Sequence, residues 1–141
     1  MGYPIISITE GEGRIQTHQS RLLLTGDLTD SDNGTIWPVP LSVKAPGEGN
    51  IPTKEVMLEK TKNFAPGILG PYSVVNPKQN GFYRIKYPTQ QLLDYVTGKK
   101  FTHSELTAIV GDLAGFAISG ECSTSTFLDL LRSVDFSDDY W

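Results

Sequence analysis

The apolar residues of this chain change period once, at Pro88, and that change constrains the fold more than any other feature. Just before it, Tyr83, Ile85 and Tyr87 alternate with Phe82, Arg84 and Lys86. A period of two belongs to a strand with two unlike faces. After it, Leu106, Ile109, Val110, Leu113, Ala114 and Ala117 recur at helical spacing, the stripe of an amphipathic helix. The run Asn76–Tyr87 therefore closes a β unit and opens an α unit. Its Asn76-Pro77 and Asn80-Gly81 pairs are turn chemistry, because Pro fixes φ and Gly reaches positive φ.

The β unit, residues 1–88, divides into six or seven short strands with regular turn signals, the spacing of an immunoglobulin-like β-sandwich. Residues 3–8 read as a first strand and Arg14–Leu24 as a second, joined through Glu10-Gly11-Glu12-Gly13. Ile36–Lys44 has the clearest alternation: Trp37, Val39, Leu41 and Val43 on one face, Pro38 and Pro40 on the other. Two prolines, each without an N–H, predict an edge strand or a bulge. Lys54–Thr61 reads as a fourth strand with Val56 and Leu58 inward. Tyr72–Val75 and Gly81–Tyr87 follow.

The α unit, residues 89–141, opens with a turn or two carrying Leu92, Leu93 and Val96. Thr102-His103-Ser104-Glu105 is a capping box, and Gly120 suits the helix end. Ser123 or Thr124 caps a third helix with Phe127, Leu128, Leu130, Leu131 and Val134. Paired helices of this kind begin an α-solenoid.

These residues resemble the zinc aminopeptidases of the aminopeptidase N and puromycin-sensitive type. In that family's sandwich an Asn, a Gly, two aromatics, an Arg and a Tyr recur in the order of Asn76, Gly81, Phe82, Tyr83, Arg84 and Tyr87. Trp37, Val39, Pro40 and Leu41 are similar to its third strand. Gly2-Tyr3-Pro4, Gly13-x-Ile15 and Gln19-x-Arg21-Leu22-Leu23 are similar to its opening hairpin. A helix with a central acid, Asp112, an exit at Ser119-Gly120, then an acid and Tyr140 continue the match. The chain departs at Glu105-Leu106, where the family has Asp-Arg. The resemblance implies the sandwich domain that follows the catalytic domain, with the first helices of the C-terminal α domain. It implies a parent that hydrolyses N-terminal residues from peptides with zinc-activated water. The partners would be the parent's catalytic and C-terminal helical domains.

The chemistry of that parent is expected to lie elsewhere. H-E-x-x-H places two His at i, i+4 on a helix with a Glu as base. Here the two His, His18 and His103, are far apart in sequence. The family's Gly-x-Met-Glu-Asn amine-binding motif is missing, and Gly47-Glu48-Gly49-Asn50 reads as a loop. No catalytic, metal or cofactor residue is expected in this chain. Asp27, Asp30 and Asp32 near Gly34 fail the register of a calcium loop, since position 12 from Asp30 is Leu41. Asn33-Gly34-Thr35 is a glycosylation sequon that matters only after secretion. Gly11-x-Gly13 lacks the third glycine and the helix of a dinucleotide site. Cys122 reads as a spectator thiol, and no Ser sits in G-x-S-x-G.

Composition narrows the partners. A net charge of −4, with 12 scattered basic residues, disfavours nucleic acid. No apolar stretch approaches the ~20 residues that span a membrane, and the apolar start lacks the basic flank of a signal peptide. A lone Cys favours a reducing, cytoplasmic setting. The expected role is a non-catalytic structural segment between domains, with self-association through uncovered helical faces. The alternative is a stand-alone immunoglobulin-like module that binds protein or glycan, which the β pattern alone permits.

Overall fold

A computed structural model describes residues 2–11, 14–25, 29–44, 53–64, 73–98 and 101–134. Two sheets precede three helices. The strands are β1 (Tyr3–Gly11), β2 (Arg14–Leu22), β3 (Val39–Lys44), β4 (Thr53–Met57), β5 (Thr61–Phe64), β6 (Val74–Val75) and β7 (Arg84–Lys86). The helices are α1 (Thr89–Thr97), α2 (His103–Ser119) and α3 (Thr124–Ser133). One sheet has the order β5-β2-β1-β7 and the other β4-β3-β6. This is the expected small β-sandwich followed by helices. The loops at Gly47–Asn50, with Asp27, Tyr72 and Tyr140, lie outside the described residues.

β1 and β2 pair antiparallel from Tyr3↔Leu22 to Gly11↔Arg14. β7 returns parallel to β1, with Ile6 opposite Ile85. Ile6, Ile8, Thr17, Gln19 and Ile85 all turn inward and are buried. Ile5, on the opposite side of β1, is fully buried as well, so this strand is covered on both faces at its start. The core is continuous. Ile5, Leu22, Leu41 and Met57 of the sheets cluster with Leu92, Ile109, Phe116 and Leu130 of the helices.

The strands and α2 depart from expectation at four places. First, the expected strand Lys54–Thr61 is two strands in two sheets. The chain leaves one sheet at Met57 and enters the other at Thr61. Buried Gln19 holds this crossing. Its amide donates to Glu59 O at 2.7 Å and Trp37 O at 3.2 Å, and its Oε1 accepts the Trp37 N–H at 2.9 Å. Second, the register of β4 is shifted by one residue. Val39 pairs with Met57 and Pro40 with Val56, so Met57 is buried while Val56 and Leu58 are exposed. A one-residue slip exchanges the faces.

Third, β3 is the central strand of its sheet, despite Pro40. The strand starts at Val39, leaving Ile36–Pro38 outside it. β6 pairs only with Val43 and Lys44, beyond Pro40. The Pro40 carbonyl accepts the Tyr83 hydroxyl. A residue's N–H and C=O point to the same side of a strand, so the missing N–H faces the gap that β6 leaves. Fourth, the buried face of α2 is Glu105, Ile109, Leu113 and Phe116, while Leu106, Val110, Ala114 and Ala117 flank it half-buried. Glu105 belongs to the stripe because it pairs with Lys44 at the end of β3. The helix ends are as read. Thr102 and Glu105 form both halves of the capping box, and Gly120 closes α2 at φ 79°. Ser123 caps α3.

Candidate functional site

The site is the turn and strand from Asn76 to Tyr87 with the face of α2 beside it. Asn76 sits at φ 55°, a conformation Asn tolerates because its short side chain bonds locally. Here that side chain brackets Gly81: Gly81 N–H donates to Asn76 Oδ1 and Asn76 Nδ2 donates to Gly81 O, both at 3.1 Å. Gly81 does not take positive φ, contrary to the turn reading. It is needed for space instead, since a Cβ there would lie 1.9 Å from Cε1 of Tyr83. The ring of Tyr83 lies across the glycine, and its hydroxyl reaches Pro40 O at 3.0 Å. Burial pushes the Tyr83 phenol up to about 12, opposed by the Ser42 backbone. Tyr87 accepts the Val75 N–H at 3.0 Å, and burial likewise drives its phenol upward.

Arg84 points to the other side of β7. Its Nε donates to the Tyr3 hydroxyl at 2.8 Å, and one terminal nitrogen donates to Gly111 O at 2.7 Å and Asp112 Oδ1 at 3.1 Å. The guanidinium lies 5.4 Å from the centre of the Tyr3 ring. It crosses α2 at Gly115, where a Cβ would come within 3.0 Å of Cζ. The second Asp112 oxygen accepts the Ile85 N–H at 2.9 Å. One carboxylate thus holds both the backbone and a side chain of β7. Burial raises the Asp112 carboxyl to about 6, opposed by the Ile85 N–H and by Arg84.

Most of the positions that carry the resemblance meet one another or the core, and Tyr87 meets Val75. Asn76 meets Gly81, Tyr83 meets Pro40, and Arg84 meets Asp112. Val39 and Leu41 supply core, while Trp37 is half-buried and tied to Gln19. Sequence reasoning missed three participants. Tyr3 gives Arg84 its second anchor. Lys44 and Glu105 form a buried ion pair at 2.7 Å, and Glu105 also accepts the Thr102 N–H. Nothing local to Lys44 announces a partner on α2. Glu105 is legible only as a capping residue.

A cleft of about 440 Å³ lies over this network, lined among others by Asn76, Tyr83, Arg84, Tyr87, Glu105 and Asp112. Its charged groups are already paired, Arg84 with Asp112 and Glu105 with Lys44. Among the described residues no three His, Cys, Asp or Glu side chains gather as a metal would need. His18 faces Thr61 on β2, at 3.0 Å, and His103 is exposed at the start of α2. The Cys122 thiol donates weakly to Leu113 O, and burial pushes it up, away from a reactive thiolate. Asn33 of the sequon is engaged through its side-chain oxygen, which accepts the Arg21 N–H at 3.1 Å. No helix among the described residues is long and apolar enough to cross a membrane. The arrangement fastens β1, β7, β3 and α2 together.

No protein-family model matches the chain. Curated relatives do. Aminopeptidase 2 of Candida albicans is 30% identical over 145 aligned positions, covering 99% of this chain and 15% of that protein. The mitochondrial aminopeptidase 2 of Saccharomyces cerevisiae is 28% identical, covering 93% of the chain and 14% of that protein. Tricorn protease-interacting factor F2 of Thermoplasma acidophilum is 22% identical over 99% of the chain and 16% of its own length. The chain thus spans about 15% of the length of the relatives it matches. Over nearly its whole length, it is related to one short segment of the aminopeptidases.

Proposed function

We propose that this chain is a non-catalytic junction in a zinc-dependent aminopeptidase that removes N-terminal residues from peptides. The observation that carries the reading is the clamp at Asp112, which accepts from Ile85 N–H and Arg84 at once. It locks the last strand of the sandwich to the first long helix, as a rigid joint between two parts of a larger enzyme requires. Zinc does not fit the residues present: His18 and His103 belong to separate elements, and no ligand cluster forms among the described residues. In this reading the metal and its general base belong to the catalytic part, and the chain contributes architecture.

The remaining partner is the C-terminal helical part. Ile118 on α2 and Leu128 on α3 are exposed, as faces awaiting further helices would be. The test is direct. The purified chain, incubated with zinc and a chromogenic aminoacyl substrate, releases no amino acid. Zinc-dependent release that co-elutes with the chain would refute the proposal.

A further inference from the structure

The two sheets present unlike outer faces. On the four-stranded sheet the registers Ser7↔His18↔Thr61 and Thr9↔Gln16↔Asn63 place six residues on one side. All six are polar, as on a solvated face. On the three-stranded sheet, Pro40 stands outward opposite Val56. Leu58 follows two residues after Val56, and Pro38 precedes Pro40 by two. Val56 is 53% exposed and Leu58 63%, Pro38 and Pro40 are exposed, and Ile36 beside them is 49% exposed. The core takes nothing from this strip, because Val39, Leu41, Val43 and Met57 fill the inner face of the same strands. A contiguous apolar strip that a core does not use marks a contact surface.

We infer that this strip is the face on which the remainder of the aminopeptidase polypeptide docks, through an apolar surface of its own. The inference rests on the function proposed above. Size favours this occupant. The relatives are matched over only 14–16% of their lengths, so most of such a polypeptide lies outside the chain. It would be tethered, and tethering gives a small patch a high effective concentration. A free second copy would need about 800 Å² per partner, more than five side chains on one half-sheet offer.

Thiol labelling decides it. Leu58→Cys and, on the polar face, Asn63→Cys are made in a Cys122→Ser background. Each reacts with a chromogenic aryl disulfide, once in the 141-residue chain and once in the polypeptide encoded by the complete reading frame. The docking face predicts that the thiol at position 58 reacts about tenfold more slowly in the longer polypeptide, with the thiol at 63 within about twofold. Equal rates at position 58, in a longer polypeptide that does hydrolyse aminoacyl substrates, overturn the docking face and leave the junction intact. Protection in the isolated chain that rises with concentration assigns the strip to a second copy and also overturns it. A longer polypeptide without peptidase activity removes the junction reading and this inference with it.

Discussion

Replacing Asp112 by Asn separates two effects that oppose each other in the clamp. The ion pair with Arg84 at 3.1 Å favours the charged carboxylate. Burial disfavours it, and burial is the larger, since the carboxyl is raised to about 6 from its ordinary 3.8. A shift of that size corresponds to about 2–3 kcal/mol against the ionised form in the folded state. The sign follows from proton binding. Between about pH 4 and pH 6 the folded chain holds a proton on Asp112 that the unfolded chain has lost. The stability contributed by this group therefore falls as pH rises through that window and is constant above it. Asn keeps an acceptor for the Ile85 N–H and carries no charge. Asp112→Asn should therefore match or exceed the parent chain in stability at pH 7.5. At pH 4.5 that advantage should shrink by about 2 kcal/mol. Urea unfolding of both chains across this range measures the difference directly. A variant that is less stable at pH 7.5, and gains on the parent as pH falls, would show that the Arg84 attraction outweighs desolvation and would refute the reasoning.

The other substitutions probe packing and pairing. Asp112→Ala removes the acceptor of the Ile85 N–H and should be less stable than Asp112→Asn by about 1–3 kcal/mol at every pH, read from the urea midpoint. Gln19→Leu strips partners from Trp37 and Glu59 and should cost about 2–3 kcal/mol in the same assay. Gly81→Ala forces the Tyr83 ring off its seat; a loss of about 1–3 kcal/mol is expected, with a change in near-ultraviolet circular dichroism from the displaced tyrosine. Lys44→Met takes the buried Glu105 carboxylate's cation away and should cost about 3–5 kcal/mol, whereas adding Glu105→Gln should recover much of it.

The sequence made the alternation at Tyr83, Ile85 and Tyr87 legible because one face of β7 is buried and the other holds Arg84 and Lys86. The caps of α2 were legible because capping is local chemistry. β4 was not, because Val56 and Leu58 compete with Met57 for the inward side, and only pairing with β3 decides. Pro38 and Pro40 misled because a proline reports a missing donor without saying whether a neighbour is present to need it. At the site, family order picked out Arg84 and Asp112 separately. Their meeting depends on how α2 lies against β7, which no local spacing encodes. The Lys44–Glu105 pair and the Tyr3 anchor are of the same long-range kind.

The central claim is that this chain is a joint of an aminopeptidase and carries none of its chemistry. The most direct measurement compares zinc-dependent release of amino acid from a chromogenic aminoacyl substrate by two purified proteins: this chain and the polypeptide of its complete reading frame. The account predicts turnover by the longer polypeptide and none by the chain. Turnover by the chain itself, or none by the longer polypeptide with zinc supplied, would contradict it.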